Sequence, residues 1–306
     1  MQTARRPPRR RVNGVLFIDK PAGITSNGVL GALKRLYNAD KAGHTGTLDP
    51  FATGLLPVAL GEATKFSGHL IDADKTYLAT MRLGITTTTG DPEGDVLAMR
   101  PVNADAARIV ATFAHFRGAI DQVPPMYSAL KRDGKPLYEY ARAGVTLDRA
   151  ARRVMIHALE LVSLEGAVAV FRVACSKGTY VRTLAEDIGE MLGCGAHLIA
   201  LRRLRTGLFG IEEAVSLSKI EGLGIAERDA LLRPIDALIG HLPRVDVDAT
   251  QAERLRLGQR LAMHSLGLST EGLYRIYDEE SALTGLVQAI DGAIRPERIV
   301  AQESRA

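Results

Sequence analysis

The chain has 306 residues, enough for two domains or one large domain, and its hydrophobic fraction of 46% suffices for a core. Its 39 Lys and Arg against 35 Asp and Glu give a net charge of +4, a weak indication of a polyanionic partner. With no apolar run near about 18 residues, we expect no membrane span, and we expect no signal peptide. Cys175 and Cys194 form no CxxC or metal pattern, so we expect free thiols in a cytoplasmic protein.

The N-terminal segment is basic and precedes the first expected strand and helix. Five of the first eleven residues are arginine, so we expect residues 1–12 to form a disordered basic tail with weak attraction for phosphates. Residues 14–19 predict a buried strand, and residues 20–26 predict a turn in which Ser26 caps the next helix. A second basic cluster farther along the chain consists of Arg202, Arg203 and Arg205.

The loop at residues 41–50 combines glycines, polar side chains and a carboxylate. Gly43 and Gly46 allow positive φ and close approach of the backbone to a ligand. Pro50 fixes its own φ and disfavours a helical conformation for Asp49, which precedes it. A carboxylate on such a rigid loop is a candidate nucleophile or general base. The alternative is a surface turn in which Asp49 bonds its own backbone, and composition alone favours that alternative.

Strands and helices follow the loop at irregular spacing. Pro57 predicts an edge or irregular position for the first of these strands, and Glu165-Gly166 predicts a hairpin turn. Strands broken by helices, together with hairpins, predict an α+β fold with a mixed or antiparallel sheet. The predicted elements are strands at 54–60, 75–83, 154–164, 167–175 and 196–201, a helix at 61–71, a polar loop at 86–94, and short helices within 216–238.

Residues 117–151 mix aromatic and basic side chains. Aromatic faces interleaved with cations suit stacking on unpaired bases and pairing with phosphates. An insertion whose tyrosines pack on its own short helix is equally compatible with the sequence. After a boundary at 241–243, short strand-like runs between glycines predict a small β-rich second domain. Between residues 122 and 142 the aromatic and basic residues are Tyr127, Tyr138, Tyr140, Lys131, Arg132, Lys135 and Arg142.

Several common catalytic motifs are absent from the sequence. Residues 43–46 lack the Gly-Lys-Ser/Thr end of a phosphate-binding P-loop, and no His-Glu-x-x-His or Cys/His quartet suggests zinc. No Gly-x-Ser-x-Gly elbow indicates a serine hydrolase. An aspartyl-phosphate enzyme is disfavoured because such loops place the aspartate before Thr-Gly-Thr, not after it. The remaining candidates are His44, Asp49, Tyr77, Tyr180 and Arg182.

Four motifs together resemble the TruB-type tRNA pseudouridine synthases of bacteria. They are GHTGTLDPFATGLLP at residues 43–57, SKGTYVR at 176–182, KPAGITS at 20–26, and MYSALK at 126–131, which resembles the family's RNA-gripping insertion. The likeness covers residues 13–210 in order. It implies a catalytic domain over 13–240 with a mixed, largely antiparallel sheet flanked by helices, and a small β-rich PUA-like domain over 244–306.

The resemblance also implies a reaction and a partner. The family isomerises uridine 55 in the T loop of tRNA to pseudouridine, breaking the N-glycosidic bond, turning the uracil and forming a C–C glycosidic bond. The base must first be flipped out of its stack, at a cost of about a few kcal/mol. No metal or cofactor is implied. One chain carries every expected site residue, so a monomer suffices.

By resemblance, Asp49 is the nucleophile and Arg182 is the arginine that pairs with it. The guanidinium is expected to lower the pKa of Asp49, to keep it ionised and to fix its orientation. Tyr77 is expected to stack against the uracil and to help move the proton lost from C5. Attack at C1′, addition at C6 and elimination to a glycal all remain open as chemical routes.

The remaining assignments by resemblance concern RNA binding. Tyr180 and Leu201 belong with Tyr77 in the substrate pocket, and His44 contacts the flipped T loop. Without the resemblance, ordinary core, loop and surface roles would be preferred for these residues. A non-catalytic tRNA-binding or tRNA-folding protein is the alternative function, because the basic tail, the insertion and the β-rich C-terminus would suffice for it. Further RNA contacts are expected from Lys20, Lys131 and Arg142.

Overall fold

The computed structural model describes residues 8–301, so the first seven residues of the predicted tail lie outside it. In this range the chain forms a large sheet, a smaller sheet near the C-terminus and two short hairpins. None of the helices described is long and apolar enough to cross a membrane. The strands up to residue 216 are β1 (Gly14–Lys20), β2 (Ala42–His44), β3 (Thr53–Leu60), β4 (Lys75–Leu83), β5 (Ile85–Thr87), β6 (Val96–Met99), β7 (Gly118–Gln122), β8 (Lys131–Arg132), β9 (Lys135–Pro136), β10 (Arg152–Glu165), β11 (Val168–Cys175), β12 (Ala196–Thr206), β13 (Phe209–Gly210) and β14 (Val215–Ser216).

The large sheet runs in the order β14-β1-β3-β12-β4-β11-β10-β7, with β2 paired to β3 and β13 to β12. Only β1–β14 and β3–β12 pair in parallel among these neighbours, so the mixed, largely antiparallel sheet is confirmed. β10 and β11 form the predicted hairpin, and β4 occupies the predicted strand at 75–83. β12 continues through the arginine cluster that follows the predicted strand at 196–201.

Pro57 occupies an irregular position inside the sheet. β3 pairs with β1 on one side, while on the other it meets β12 at its start and β2 at its end. The Pro57 carbonyl accepts a hydrogen bond from the Thr45 N–H at 3.2 Å, on the side of β3 where pairing with β12 ends and pairing with β2 begins. The missing N–H of proline therefore interrupts no regular ladder, and β3 is not an edge strand.

Helical segments cover both faces of β1 and β3, so their apolar runs are continuous rather than alternating. Leu16 and Ile18 pack with α1, whereas Val15 and Phe17 pack on the opposite face with Phe66 of a 3₁₀ helix. The helices are α1 (Ser26–Leu36), α2 (Ser67–Ile71), α3 (Ala106–Ala114), α4 (Leu137–Arg142), α5 (Val181–Met191), α6 (Leu217–Gly222), α7 (Ile225–Asp229) and α8 (Ala249–Arg256), with 3₁₀ segments at Gly61–Phe66, Ile211–Glu213, Ala237–Ile239 and Met263–Leu266.

The predicted cap of α1 is displaced by one residue. Thr25, in an extended conformation, accepts a hydrogen bond from the Gly28 N–H at 2.9 Å. Ser26 is instead buried, and its hydroxyl bonds the backbone of Leu48. Both Thr25 and Ser26 can cap a helix, so the sequence alone did not show that Thr25 caps α1 while Ser26 bonds the distant loop at Leu48.

Residues 8–12, which we expected to be disordered, contact the rest of the protein. The Arg10 N–H donates to the Asn38 carbonyl at 2.8 Å, and the Arg10 guanidinium pairs with Asp229. Val12 is 5% exposed and belongs to the core around α1. The folded part of the chain therefore begins before residue 13.

The C-terminal strands form a separate five-stranded sheet in the order β15-β17-β18-β19-β16. It has its own apolar core with α8, and Leu286 packs into the cluster that contains Phe17. Arg275 Nη1 also donates to Asp236 Oδ2 at 2.9 Å, which ties this sheet to the segment before it. The strands are β15 (Arg244–Asp246), β16 (Leu261–Ala262), β17 (Gly272–Tyr277), β18 (Leu283–Ile290) and β19 (Ala293–Ile299).

Candidate active site

A cleft of about 670 Å³ opens where β4 and β12 meet the loop at 41–50 and the turn before α5. It brings together side chains that are widely separated in sequence. Within residues 8–301, no three His, Cys, Asp or Glu side chains cluster in a way that could hold a metal ion. Six predicted site residues line the cleft, namely His44, Asp49, Tyr77, Tyr180, Arg182 and Leu201.

Asp49 and Arg182 form a two-point ion pair in the cleft. Arg182 Nε lies 3.0 Å from Asp49 Oδ2, and Nη2 donates to Oδ1 at 3.4 Å. The guanidinium also donates to the carbonyls of Thr89 at 2.8 Å and Tyr127 at 2.7 Å. Arg182 is 3% exposed, while the Asp49 side chain is 33% exposed. The carboxylate is thus held from behind and stays open to the cleft.

Asp91, which was not among the predicted site residues, shares Arg182 with Asp49. Its Oδ2 lies 3.2 Å from Arg182 Nη1, and its side chain is 4% exposed. The Thr89 hydroxyl donates to Asp91 Oδ1 at 2.5 Å. A usable signal was present in the Asp-Pro dipeptide at 91–92, which repeats the one at 49–50 in a second loop with glycine on both sides.

The pKa of Asp49 is set by opposing effects. Burial raises it above the ordinary value, Arg182 lowers it, and the nearby Asp91 raises it again. The net shift is upward, although Arg182 acts in the expected direction and lowers the pKa. Arg182 reduces the cost of burying the Asp49 charge without removing it, because the same cation also serves Asp91.

Residues 20–26 hold the loop on both sides of Asp49. Ser26 Oγ accepts from the Leu48 N–H at 2.8 Å and donates to the Leu48 carbonyl at 3.1 Å. The Pro50 carbonyl accepts from the Gly23 N–H at 2.9 Å. These bonds fix the backbone immediately before and after Asp49.

Lys20 is fully buried rather than placed at the surface. Its Nζ donates to the carbonyls of Pro21 at 2.9 Å and Pro50 at 3.1 Å. Burial lowers the pKa of Lys20 to about 8, although the nearby Asp49 charge acts in the opposite direction. The structure therefore gives Lys20 contacts with the loop, and its position does not suit the expected RNA contact.

Tyr77, Tyr180 and Leu201 form the walls of the cleft. Tyr77 in β4 and Leu201 in β12 are 9% and 7% exposed, on adjacent strands. Tyr180 precedes α5, and its backbone is held by Gln122, whose side chain accepts from the Tyr180 N–H at 2.8 Å and donates to its carbonyl at 3.1 Å. Gln122 is 2% exposed and was not recognised in the sequence, where an isolated glutamine at a strand end carries no signal.

His44 lies at the end of β2 and lines the same cleft. Burial lowers its pKa, and the positive charge of Arg203 lowers it further, which favours the neutral imidazole. Its Nδ1 is buried, with no hydrogen-bond partner in the part of the chain that the structure describes.

The arginine cluster at 202–205 is not one basic surface. Arg202 is half-buried and pairs with Asp19 at 2.7 Å. Arg203 points inward, is 1% exposed and lines the cleft. Arg205 is exposed, with its Nη1 3.9 Å from a carboxylate oxygen of Glu212. Only one of the three is therefore a fully exposed cation.

Comparisons with known proteins show the family of this chain. The chain is 57% identical to tRNA pseudouridine synthase B of Burkholderia mallei (strain ATCC 23344) over 299 residues, 96% of each chain. The chain belongs to the TruB family of pseudouridylate synthases. It is also 56% identical to the protein of the same name from Aromatoleum aromaticum (strain DSM 19018 / LMG 30748 / EbN1), over 98% of this chain and 97% of that one.

Models of this family match most of the chain. TruB family pseudouridylate synthase (N terminal domain) matches residues 34–181, and the tRNA pseudouridylate synthase B C-terminal domain matches 182–240. Pseudouridine synthase II TruB, C-terminal, matches residues 243–300. The resemblance drawn from the four sequence motifs is thus confirmed.

Two solved structures are similar over most of the TruB family chain. One is an H/ACA RNP bound to a substrate RNA containing 2'-deoxyuridine, with a TM-score of 0.70 and 28% identity over 94% of this chain and 85% of that one. The other is a Cbf5-Nop10-Gar1 complex, with a TM-score of 0.71 and 30% identity over 94% and 84%. The expected α+β fold with a β-rich C-terminal part is confirmed.

Beside the cleft of this TruB family member, the insertion carries exposed cations. Lys131 and Arg142 are exposed and do not line the cleft. Arg142 lies over the Tyr138 ring, with its Cζ 5.5 Å from the centroid, and Lys135 Nζ lies 4.8 Å from the Tyr140 centroid. The tyrosines thus pack with cations of the insertion itself, and the cations remain accessible to a ligand.

Proposed function

We propose that the protein isomerises uridine 55 in the T loop of tRNA to pseudouridine, with Asp49 as the nucleophile on a flipped-out uridine. The curated relatives carry the name tRNA pseudouridine synthase B and are 55–57% identical over nearly the full chain. The observation that carries the proposal is the Asp49–Arg182 pair, buried on the arginine side and open to a cleft on the carboxylate side.

The geometry suits a reaction on an extruded base. Tyr77, Tyr180 and Leu201 provide flat and apolar surfaces that can hold a uracil while its glycosidic bond is open. Arg182 keeps both oxygens of Asp49 in a fixed plane, since its planar fork makes two contacts at once. Attack at C1′, addition at C6 and elimination to a glycal each require such a carboxylate close to the sugar or the ring.

Binding of the T stem-loop is assigned to the surface around the cleft. The position of His44 on the cleft supports a contact with the RNA, and exposed Lys131 and Arg142 support contacts with phosphates. One chain supplies Asp49, Arg182 and all three walls, which supports action as a monomer. A tRNA substrate supports a cytoplasmic location for this activity.

The test uses the purified protein and a T-arm transcript, with no added cofactor. Wild-type protein should convert the uridine that corresponds to position 55, as read by pseudouridine mapping. Asp49→Asn removes the ionisable oxygen at nearly constant shape, and it should lower the single-turnover rate by about 10⁴-fold or more. Affinity for the RNA should change by less than about threefold, because the phosphate contacts remain.

Asp40→Asn is the matched control, because Asp40 is exposed, precedes the same loop and does not line the cleft. It should turn over like wild type. Normal turnover by Asp49→Asn would remove Asp49 from the mechanism. Binding by the wild type with no pseudouridine formed would instead favour a non-catalytic tRNA-binding or tRNA-folding protein.

A further inference from the structure

Arg203 is the largest of the fully buried side chains in residues 8–301. It lies in β12 directly opposite Tyr77 in β4, and both side chains line the cleft. Its Nε donates to the Leu55 carbonyl at 2.7 Å, and Nη2 donates to the Gly46 carbonyl at 3.1 Å. The guanidinium therefore bridges β3 and the loop that carries Asp49, and it does so from a residue that pairs with Tyr77 on the neighbouring strand.

Arg203 is a buried cation that forms no ion pair in the part of the chain that the structure describes. Arg182 is buried against two carboxylates, whereas the ion pairs in the described part of the chain include none with Arg203. A buried cation is costly unless a counter-charge and hydrogen bonds offset the loss of water. The bonds to two carbonyls offset only part of that cost, so Arg203 is poorly explained as a stabilising residue.

The uncompensated charge acts on the groups around the cleft. Burial raises the pKa of the Tyr77 hydroxyl, and the charge and hydrogen bond of Arg203 oppose that rise. The same charge lowers the pKa of His44 and of Lys75. Among these groups Tyr77 is the one whose negative form Arg203 favours.

We propose that Arg203 is a positioning residue for the isomerisation, which holds the Tyr77 hydroxyl against the uracil and stabilises negative charge on its oxygen while the C5 proton is removed. The inference rests on the proposed function and deepens it. After the C5–C1′ bond has formed, the C5–H bond breaks, its electron pair restores the C5–C6 double bond, and the Tyr77 oxygen takes the proton. The hydroxyl passes its own proton to solvent in the same step, so the negative charge that Arg203 stabilises on this oxygen is transient. N1, released as an anion, takes one proton from solvent, so the protons balance.

Arg203 also acts on the loop. Its bond to the Gly46 carbonyl lies three residues before Asp49, so one guanidinium sets the distance between the nucleophile's loop and Tyr77. Such a residue should affect the rate of the bound complex rather than the affinity for RNA. A double-mutant cycle distinguishes the effect of Arg203 on the Tyr77 hydroxyl from its effect on the loop, because only the first effect is lost when the hydroxyl is removed.

The experiment combines Arg203→Gln with Tyr77→Phe and the double variant, and it measures single-turnover pseudouridine formation and RNA affinity. Arg203→Gln should lower the rate by about 10²-fold, as expected for weakened proton removal, with affinity within about threefold. In the Tyr77→Phe background the same substitution should cost less than about fivefold, because the hydroxyl on which Arg203 acts is gone. With 5-deuterated uridine, Arg203→Gln should also raise the isotope effect.

Arg205→Gln is the matched control, because Arg205 is exposed, lies in the same strand and does not line the cleft. It should behave like wild type. Equal losses from Arg203→Gln in the wild-type and Tyr77→Phe backgrounds would overturn the proposal, as would a loss confined to RNA affinity. If Arg203→Gln does not fold, Arg203→Lys replaces it in the double-mutant cycle, because lysine keeps the buried positive charge. Additive losses from Arg203→Lys and Tyr77→Phe would likewise overturn the proposal.

The two proposals fail in different ways. If wild-type protein forms no pseudouridine in the T-arm transcript, the proposed function and the role of Arg203 are both overturned. If wild type turns over and Asp49→Asn does not, but the cycle is additive, only the role of Arg203 is overturned.

Discussion

The floor and the rim of the cleft both carry cations, but they hold them differently. The floor consists of Asp49, Arg182 and Arg203, and its two guanidinium groups are 3% and 1% exposed. The rim is the insertion segment from Lys131 to Arg142, whose cations are exposed, and two of them, Lys135 and Arg142, lie over tyrosine rings. Each floor cation has several fixed partners, whereas the rim cations have few. The floor is therefore built for one geometry and the rim for adaptable contact.

The energies differ in the same sense. Removing one partner of a buried ion pair costs about 3–5 kcal/mol, because the other charge is left buried and uncompensated. An exposed pair contributes about 0–1 kcal/mol, since water and salt screen it. Substitutions at the floor should therefore change rate and stability, while substitutions at the rim should change affinity alone.

After Asp49→Asn, the largest effect is expected from Arg182→Lys. Lysine keeps the charge but cannot contact Asp49, Asp91 and the Tyr127 carbonyl together, because an ammonium lacks the planar fork. We expect the single-turnover rate to fall by about 10²–10³-fold, as for misplaced catalytic groups, with RNA affinity nearly unchanged.

Arg202→Lys is the control for this comparison, because Arg202 makes an ordinary, partly exposed pair with Asp19. It should retain the rate within about threefold, as expected of a pair near the surface. An Arg182→Lys enzyme with wild-type rate would show that charge alone, and not the fork, is what Asp49 requires.

The rim and floor also differ in how far the sequence could predict them. The insertion could be predicted from composition, because tyrosines and cations are interspersed within about twenty residues. At the floor, Asp49 was a candidate from its loop alone, but its pairing with Arg182 was predicted only because their motifs resemble a known family. Alternation over 75–83 predicted β4 correctly, since period-two burial is a local property.

What could not be predicted depends on contacts between distant segments. In the sequence Lys20 looks like a surface cation, and only the folded structure shows that it bonds the Pro50 carbonyl. Arg203 likewise looks like its two neighbours in the cluster, and only the structure shows that it bonds β3. Asp91 became part of the site only through Arg182, far along the chain. Each of these side chains is charged, so composition places it at the surface, and only the tertiary fold reverses that placement.

An intermediate effect is expected behind the floor, at Glu186. Burial raises the pKa of Glu186 to about 7 from 4.5, and Asp91 adds to the shift while Arg182 opposes it. The folded chain therefore binds more protons than the unfolded chain between about pH 4.5 and 7, and stability falls as pH rises through that window. Glu186→Gln cannot ionise, so it should be more stable than wild type above pH 7, by about 1–3 kcal/mol.

Denaturant unfolding at pH 5 and pH 8 measures this difference. The stability gap between Glu186→Gln and wild type should be small at pH 5 and large at pH 8. Glu165→Gln is the control, because Glu165 is exposed at a hairpin turn and should show the same gap at both pH values. If the stability gap between Glu186→Gln and wild type does not change with pH, the pKa of Glu186 is not raised in the folded protein, and the prediction is wrong.

The smallest effect is expected at the rim, from Arg142→Gln. Arg142 is exposed and does not line the cleft, so losing it should remove about one phosphate contact and leave the saturated rate unchanged. Affinity should fall by about two- to fivefold at physiological salt, and the slope of log affinity against log salt should decrease by about 0.7–0.9. Lys219→Gln, an exposed cation on α6, should change neither quantity. If Arg142→Gln instead lowers the saturated rate, the insertion must align the RNA as well as attract it, and the separation between an aligning floor and an attracting rim would be wrong.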